Sequence, residues 1–387
     1  MSETYKGITA DGKCISIFVN NGTIQAVEEF PRDETLPYIL PPLVDLQQNG
    51  ALGIYFTNFC DKNPEDIYRI FEFLVKHGVG RVQLTMTSAA IETLKESLKA
   101  LDKLLAGNRD LEKMFFGIFH EGLFISPLEG WRGAHPAAFI KSPDYELFKD
   151  LDECAGGRIR TVNIAPEEPG GLPFIEKAVT DNKTVSLGHC CPDRETVREA
   201  VARGAKLITH FGNGAAPMMH RFKNPFWAFL SEAGLCPGLI CDGFHLPPEL
   251  VETVFKCKGR DNCFIVSDAS GYSGCPSGFY NRDDERSFEI REDGFLHLAW
   301  QEILMGAWYQ LDRGVEFLVK DIGMSFLDAW MQCSAVPAKI AGIKLPELKV
   351  GASADFVLAR WKNGVIIEQS VFSGKAYLRD AFTPRSV

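Results

Sequence analysis

Four polar residues of this chain have the types that metal-dependent hydrolysis uses, and each follows a short apolar run: Glu121, His189, His210 and Asp268. One glutamate with two histidines is a suitable ligand set for zinc or another borderline divalent ion, with one position left for water. Such an ion makes water a nucleophile at neutral pH. A nearby carboxylate, here Asp268, can take the proton of that water and pass it to a leaving group. For each residue taken alone, a structural role such as capping a turn is the alternative.

The two histidines belong to one β-α-β pattern. Residues 184–187 and 205–208 are apolar runs with the length of strands buried on both faces, and a histidine lies just beyond each run. The segment between them places Val197, Ala200 and Val201 on the apolar stripe of a helix. Because a β-α-β unit joins parallel neighbours, both histidines are predicted at the carboxyl ends of adjacent strands, where an α/β barrel has its chemistry. Two unrelated histidines that cap their strands are the alternative.

The alternation of strands and helices extends over most of the chain. Eight such units between residues 41 and 345 predict an α/β fold, a (β/α)₈ TIM barrel. The predicted barrel strands cover residues 43–46, 81–85, 115–119, 161–165, 184–187, 205–208, 238–241 and 263–267. We expect an insertion of β character over residues 271–298, and then helices over residues 303–319 and 325–343, the second capped by Ser325.

Both ends of the chain predict β structure of another kind. Residues 14–19 and 23–27 alternate apolar and polar side chains around Asn20, Asn21 and Gly22, which is a strong hairpin signal. The tail from residue 351 also alternates between such runs and turns. We therefore predict that residues 1–40 and 346–387 form one small β-sandwich domain, and that residues 41–345 form the barrel.

Composition limits the class of partner. The chain has 387 residues and a formal net charge of −10, which argues against nucleic acid or an acidic membrane as a partner. No apolar run is long enough to span a bilayer, and the first residues lack the apolar region of a signal peptide. The 11 scattered cysteines include no CxxC pattern, so we expect reduced thiols, no structural zinc module and a cytoplasmic location.

Motifs along nearly the whole chain resemble those of one enzyme family. PPLVDLQQNG resembles P-G-F-I-D-x-Q-x-N-G, GIFHEGLFISP resembles G-x-H-x-E-G-P-F-x-S-P and is followed by GAHP, and NIAPE resembles T-x-A-P-E. GHCCPDRETV is similar to G-H-S-x-A-x-x-E-x, THFGNGAAPMMHR to T-H-x-F-N-A-M-x-P-x-x-x-R, CDGFHLPPE to A-D-G-x-H-x-x-P, IVSDAS to V-T-D-A, and GASADFVL to G-x-x-A-D-x-V-L. The chain thus resembles, as a divergent member, the N-acetylglucosamine-6-phosphate deacetylase family of the amidohydrolase superfamily.

The resemblance implies a metal site with one divalent ion. Glu121, His189 and His210 would be its ligands, with zinc as the first choice and iron, cobalt, manganese or nickel as others. Asp268 would be the general base and then the general acid. Most amidohydrolases carry His-x-His after the first strand for a second metal, whereas this chain has Gln47 and an asparagine two positions later, so one ion is expected.

The resemblance also implies which residues bind an amino-sugar phosphate: Gln47, His135, Asn213, Gly214, Arg221 and His245. The two histidines would contact the sugar or polarise the acetyl carbonyl. Asn213 and the backbone of Gly214 would contact the phosphate. Arg221 would reach a phosphate in the neighbouring subunit, so a homodimer is expected, and a guanidinium suits phosphate through its planar pair of donors.

The expected reaction is hydrolysis of N-acetylglucosamine 6-phosphate to glucosamine 6-phosphate and acetate. The chain departs from the family pattern near the substrate: Leu123 replaces a proline, Gly212–Asn213–Gly214 replaces Phe-Asn-Ala, and FKNP replaces Glu-Pro-Gly after Arg221. His120 is also displaced by one position, which sends it to the other face of its strand. The alternatives are an amidohydrolase of another N-acyl sugar, an N-acyl amino acid or a cyclic amide, and a non-catalytic binding protein on this fold.

Overall fold

The computed structural model describes residues 2–281, 287–300 and 303–379. Within these ranges the strands are β1 (Ser2–Ile8), β2 (Cys14–Asn20), β3 (Thr23–Glu29), β4 (Tyr38–Leu40), β5 (Leu43–Gln48), β6 (Gly50–Ala51), β7 (Ile54–Tyr55), β8 (Val79–Met86), β9 (Phe115–His120), β10 (Ile159–Ile164), β11 (Thr184–Leu187), β12 (Leu207–Ile208), β13 (Cys236–Ile240), β14 (Phe264–Val266), β15 (Gly278–Asn281), β16 (Ser287–Ile290), β17 (Leu296–Leu298), β18 (Phe356–Trp361), β19 (Val365–Phe372) and β20 (Lys375–Leu378).

The helices of the same ranges cover the barrel and connect its strands. They are α1 (Asp66–Lys76), α2 (Ile91–Gly107), α3 (Arg109–Met114), α4 (Tyr145–Cys154), α5 (Gly171–Thr180), α6 (Arg194–Ala202), α7 (Pro225–Ser231), α8 (Pro248–Lys258), α9 (Leu311–Lys320), α10 (Phe326–Gln332) and α11 (Ala335–Ile340). Short 3-10 helices occupy Phe56–Asp61, Ala137–Phe139 and Arg260–Asn262.

An eight-stranded parallel sheet forms the barrel, in the order β14-β13-β12-β11-β10-β9-β8-β5. Its two edge strands approach each other through a parallel bridge between Gln48 and Ala269, so the sheet nearly closes on itself. β5 is buried along its whole length, as expected for a strand between the barrel interior and a layer of helices. The predicted (β/α)₈ barrel is confirmed, and β11 and β12 are parallel neighbours as the β-α-β pattern predicts.

The two ends of the chain meet in a second sheet, in the order β20-β19-β18-β4-β1-β2-β3, which forms the small β-sandwich. The hairpin predicted around Asn20–Gly22 is confirmed, since β2 and β3 pair in antiparallel fashion there. The apolar side chains of this unit form their own buried cluster, which includes Ile17, Ile24, Phe356 and Val371. The predicted fold class is therefore correct. The proposed division into residues 1–40 with 346–387, and 41–345, stays a prediction.

The expected insertion after the last barrel strand is an antiparallel sheet of β15, β16 and β17; residues 282–286 lie outside the described ranges. The helix predicted over residues 303–319 is wrong at its start, because α9 begins at Leu311. Instead, the Ala307 N–H donates to the Asp268 carbonyl at 2.9 Å, and the Ser270 N–H donates to the Ala307 carbonyl at 2.8 Å. Pairing with the segment after β14 keeps this stretch extended.

The helix predicted over residues 325–343 is also wrong in its continuity, because it is divided into α10 and α11. Pro337 has no N–H to offer the carbonyl four residues earlier, at Cys333. That carbonyl accepts from the Val44 N–H at 3.0 Å instead. The predicted cap is confirmed, since the Ser325 side chain accepts from the Asp328 N–H at 3.1 Å.

The cysteines form no disulfide: all 11 are free, as the sequence predicts. They range from buried positions such as Cys190 to the exposed Cys257. None of the helices in the described part of the chain has both the length and the apolar character that crossing a bilayer requires.

Candidate metal centre and active site

The four candidate residues lie at the barrel mouth, by which we mean the carboxyl ends of β5 and β8–β14. Glu121 directly follows β9, and His189, His210 and Asp268 lie two residues beyond the ends of β11, β12 and β14. All four are buried, with at most 9% of their surface exposed. The structure thus brings the four side chains to one buried place.

The backbone turns sharply at three of these positions. The φ angles of His189, His210 and Asp268 are +51°, +28° and +47°, in the left-handed region that residues other than glycine rarely adopt. Each such residue costs roughly 1–2 kcal/mol. Strain of this kind persists where the surrounding structure overdetermines it, and it is typical of functional sites.

The donor atoms of Glu121, His189 and His210 all lie within 4.8 Å of one another. Nε2 of His210 is 3.0 Å from Nε2 of His189 and 2.9 Å from Oε1 of Glu121. Nδ1 of His189 lies 3.0 Å from the carbonyl oxygen of Trp131. A carbonyl only accepts, so Nδ1 carries the proton and Nε2 presents a lone pair to the other two donors. Two imidazole nitrogens and a carboxylate converging in this way fit a divalent cation such as zinc.

The electrostatics of Glu121 and His189 agree with this fit, whereas His210 has to release its proton when a cation binds. Burial raises the pKa of Glu121, but hydrogen bonds with His189 and His210 act against it and leave the pKa well below its ordinary value. Burial lowers the pKa of His189, so this ring is neutral at pH 7. Burial also lowers the pKa of His210, but the hydrogen bond and charge of Glu121 outweigh it and raise that pKa. A charged carboxylate and a neutral imidazole are the forms that bind a metal.

Hydrogen bonds of Gln47 connect Asp268 to Glu121, one of the three candidate ligands. Nε2 of Gln47 donates to Oε1 of Glu121 at 2.9 Å and to Oδ1 of Asp268 at 3.0 Å. Nδ2 of Asn49 donates to the same Oδ1 at 2.8 Å. Carboxylate oxygens only accept, so both amides present their N–H groups here, not the oxygens that a second cation would need. Burial, with the charge of Glu121, raises the pKa of Asp268 to about 6.

Curated relatives that match most of the chain share one activity name. No family model matches the chain. The N-acetylglucosamine-6-phosphate deacetylase of Vibrio furnissii is 25% identical over 374 residues, 94% of this chain and 91% of that protein. The protein of that name from Bos taurus is 28% identical over 330 residues, 83% of this chain and 79% of its own. The chain is a divergent relative of the N-acetylglucosamine-6-phosphate deacetylases.

The likeness in structure extends over both sheets. A variant deacetylase from Mycobacterium smegmatis, in complex with N-acetyl-D-glucosamine-6-phosphate, superposes with a TM-score of 0.82 at 20% identity. The match covers 94% of this chain and 95% of that one. The barrel and the small β-sandwich are therefore both features of the deacetylase fold.

His135, a substrate residue in the deacetylase resemblance, lies inside the candidate site. Its ring centroid is 4.6 Å from that of His189, and the two rings meet edge to face. Its Nδ1 is 2.9 Å from Oγ of Ser88, and the Leu123 N–H donates to that oxygen at 3.1 Å. Sequence reasoning missed Ser88; its place two residues beyond the end of β8, like the histidines after β11 and β12, is the signal that could have found it.

His245 lies in the loop after β13 and forms a buried pair with Asp242. Nδ1 of His245 is 2.8 Å from Oδ2 of Asp242, and the pair leaves Nε2 of the ring for another partner. The charge of His245 acts to lower the pKa of Asp268, so the two side chains are within electrostatic reach. Asp242 was missed as a site residue, although it belongs to the same motif as His245, CDGFHLPPE.

Asn213 and Gly214 lie three and four residues after His210, the second histidine of the candidate ligand set. The Asn213 N–H donates to the His210 carbonyl at 2.9 Å, and its Nδ2 is buried without a hydrogen-bond partner among the described residues. Gly214 packs on the His189 ring so closely that a Cβ atom there would lie 2.4 Å from Nδ1. Both residues are therefore part of the mouth, next to the ligand set.

Arg221 is not brought to the site within one chain. Its guanidinium lies 5.7 Å from the centroid of the Phe222 ring, and its carbonyl accepts from Nε1 of Trp227 at 2.8 Å. In the described part of the chain, no contact joins this guanidinium to Glu121 or Asp268. The segment around it is exposed, with Phe222 74% accessible.

The displaced His120 faces away from the site, as strand alternation predicts. It is fully buried, and its ring lies 5.7 Å from that of Phe124 and 6.4 Å from that of Phe148, centroid to centroid. Burial lowers its pKa to about 4, so the ring is neutral. His120 thus packs between β9 and α4, away from the three candidate metal ligands.

Proposed function

We propose that the chain is a metal-dependent hydrolase that removes the N-acetyl group from N-acetylglucosamine 6-phosphate, giving glucosamine 6-phosphate and acetate. The observation that carries the proposal is the convergence of Glu121, His189 and His210 beside a fourth buried residue, Asp268. The names of relatives that match most of the chain support an acetylated amino-sugar phosphate as substrate.

Glu121, His189 and His210 would bind one divalent cation. Zinc suits this nitrogen and oxygen donor set best, and iron, cobalt, manganese or nickel accept the same donors. The cation would supply Lewis acidity toward the amide oxygen and the attacking water. The N–H groups of Gln47 and Asn49, directed at Asp268, support one cation and not two.

Asp268 would transfer the proton. Its Oδ1 accepts from two amide N–H groups, whereas Oδ2 has no hydrogen-bond partner among the described residues. Ionised above its pKa of about 6, the carboxylate takes a proton from the attacking water and then gives it to the departing amine. Because Oδ1 is fixed at both amides, the side chain cannot rotate freely, and Oδ2 can serve both transfers from one position.

The other predicted residues would bind the sugar phosphate. His135 or His245 would donate to the acetyl oxygen as negative charge develops on it, a contribution of typically about 3 kcal/mol. Nδ2 of Asn213 and the N–H of Gly214 would donate to the phosphate. The buried, unpartnered Nδ2 of Asn213 supports this assignment, because such a donor is costly unless a ligand accepts from it.

The test is hydrolysis of N-acetylglucosamine 6-phosphate by the metal-loaded protein, with N-acetylglucosamine as the unphosphorylated control. Asp268→Asn should lower kcat by roughly 10²–10⁴-fold, the usual contribution of a general acid–base group, while the metal stays bound. Asp11→Asn, on an exposed turn of the small sheet, is the matched control and should leave kcat unchanged. A near-normal rate for Asp268→Asn contradicts the assigned role. Equal kcat/KM for both sugars would contradict recognition of the phosphate.

Leu123 favours a different N-acyl substrate as the second candidate. Its φ is +77°, and its N–H donates to Ser88. The proline of the family pattern fixes φ near −65° and has no N–H, so it could not adopt this backbone. A panel of N-acyl sugars, N-acyl amino acids and cyclic amides would show the preference. A protein that binds metal and hydrolyses none of them would be a binding protein.

We also propose that the protein acts as a homodimer in which Arg221 reaches the phosphate bound by the partner. Arg221 lies in an exposed segment together with Met218 (87%), Phe222 (74%) and Trp227 (57%), an apolar surface that suits a second copy. A cytoplasmic location is supported by the free cysteines.

Mixing Asp268→Asn with Arg221→Ala should restore activity that neither variant has alone, because one site of the mixed dimer is intact. Absence of recovery, with mixed dimers present, contradicts the role in trans.

A further inference from the structure

β10 lies between β9, which Glu121 directly follows, and β11, which ends before His189, but it contributes no candidate metal ligand of its own. The side chain near its carboxyl end is Asn163, which is fully buried in the barrel. A fully buried amide in a barrel interior needs hydrogen-bond partners. The partners of Asn163 lie just beyond the ends of β9, β11 and β12, the three strands that the candidate ligands follow.

The amide of Asn163 makes three contacts. Its Nδ2 donates to the carbonyl of Glu121 at 3.3 Å and to the carbonyl of Gly188 at 3.1 Å. Its Oδ1 accepts from Oγ1 of Thr209 at 2.8 Å. Thr209 in turn accepts from Oγ of Ser186 at 2.6 Å. One side chain therefore contacts a ligand residue itself and the residues immediately before the other two ligands.

The packing around this amide allows little movement. A Cβ atom at Gly188 would lie 2.8 Å from Oδ1 of Asn163 and 2.5 Å from Cβ of Thr209, so there is no room for a side chain at Gly188. The histidines that follow Gly188 and Thr209 both have positive φ. A strained backbone conformation is maintained only where neighbouring contacts restrict it.

We propose that Asn163 is a positioning residue that sets the separation of the three ligand strands and thereby the geometry of the cation site. This inference rests on the proposed metal-dependent function. The related family pattern has threonine at this place, T-x-A-P-E against NIAPE. A threonine hydroxyl offers one donor hydrogen, so it could not donate to two carbonyls and also accept in the same manner. The amide is thus a feature of this chain, and the site depends on it more than the family pattern indicates.

The experiment measures cobalt binding to the metal-free protein by competition with a chromophoric chelator, together with the visible spectrum of the bound cobalt. Asn163→Asp keeps an acceptor for Thr209 but places an oxygen against two carbonyls. Asn163→Thr introduces the threonine of the family pattern, so the test remains informative if Asn163→Asp fails to fold. Both should bind cobalt about 10–100-fold more weakly, as usual for the loss of a group that orients metal ligands. The spectrum should also change, since it reports ligand geometry.

Thr161→Val is the matched control. Thr161 lies on the same strand and is also buried, and its Oγ1 donates to Oε1 of Gln83 at 3.2 Å, away from the strand ends that the candidate ligands follow. It should lower the midpoint of unfolding but leave cobalt affinity and spectrum unchanged. Wild-type affinity and spectrum in both Asn163 variants would overturn the positioning role while leaving the metal site intact. A wild-type protein that binds no cobalt would overturn the proposed function itself.

Discussion

At the scale of single residues, the candidate site depends on close packing around one imidazole ring. Cβ atoms at Gly133 and Gly214 would lie 3.0 Å from Cε1 and 2.4 Å from Nδ1 of His189. Both glycines have positive φ, +55° and +57°. The ring is therefore confined by backbone on two sides, and its Nδ1 donates a hydrogen bond to the Trp131 carbonyl. This gives Gly214 a reason to be glycine beyond the predicted contact with phosphate.

Gly214→Ala should displace the His189 ring, because the new methyl group would overlap Nδ1. We expect metal affinity to fall at least about 10-fold, the low end of the usual effect of disturbing ligand orientation, with a parallel loss of kcat/KM. Isothermal titration with zinc measures the first quantity. Gly157→Ala is the control: its φ of +76° imposes the same backbone strain, but nothing lies within 4 Å of the added Cβ. Equal zinc affinity of the two variants would contradict the packing argument.

At the scale of elements, the barrel is closed by side chains at the seam between β5 and β14. Oδ1 of Asp45 accepts from the backbone N–H groups of Ser267 at 3.1 Å and Gln47 at 3.2 Å, and Oδ2 accepts from the Ser267 hydroxyl. The Asp268 N–H donates to the Gln47 carbonyl at 3.0 Å. Closure of the seam therefore positions Gln47 against Asp268, so a contact of the elements decides a contact of the site.

The pH dependence of stability should change when Asp45 is replaced. Burial raises its pKa to about 7, against about 3.9 in an unfolded chain. Between about pH 4 and pH 7 the folded state keeps a proton that the unfolded state has released, so this contribution to stability falls as pH rises through that window. Asp45→Asn has no such proton. The free energy of unfolding of this variant, relative to wild type, should therefore increase from pH 5 to pH 8 in urea titrations; an unchanged difference would contradict the raised pKa. Asp45→Ala, which loses the seam hydrogen bonds at both pH values, separates the two effects.

At the scale of the whole molecule, the small sheet is attached to the barrel by both apolar and charged contacts. Phe71 on α1 packs edge to face on Phe372 of β19 at 5.1 Å between centroids. Nζ of Lys113 on α3 donates to Oδ1 of Asp355 at 2.7 Å and to Oγ of Ser373 at 3.0 Å. Asp355 is only 1% exposed, so this lysine provides the counter-charge for a buried carboxylate.

Lys113→Met should destabilise the protein by roughly 3–5 kcal/mol, because it leaves a buried charge unpaired. Guanidinium unfolding monitored by both circular dichroism and tryptophan fluorescence measures the loss. Adding Asp355→Asn should restore much of the lost free energy of unfolding, since the buried negative charge is then absent. The control is Lys13→Met, which removes an exposed pair with Glu29 and should cost at most about 1 kcal/mol. A similar small loss for Lys113→Met would mean that the contact between the two sheets does not depend on this pair.

The eight barrel strands and the N-terminal hairpin could be predicted from the sequence because their signals are local. Apolar runs of strand length and the Asn-Gly turn depend only on neighbouring residues, and β11, β12 and their helix were found this way. The start of α9 and the break between α10 and α11 could not be predicted in this way, because hydrogen bonds with distant parts of the chain determine them. Ala307 pairs with Asp268, and Val44 takes the carbonyl that Pro337 leaves without a partner.

The sequence by itself determined which residue types follow the barrel strands, and therefore that Glu121, His189, His210 and Asp268 would lie at one end of a parallel sheet. Only the tertiary structure decided how they meet. Gln47 and Asp268 are 221 positions apart, and closure of the barrel is what brings the amide to the carboxylate. Local patterns specify elements, whereas the convergence of side chains depends on packing between distant parts of the chain.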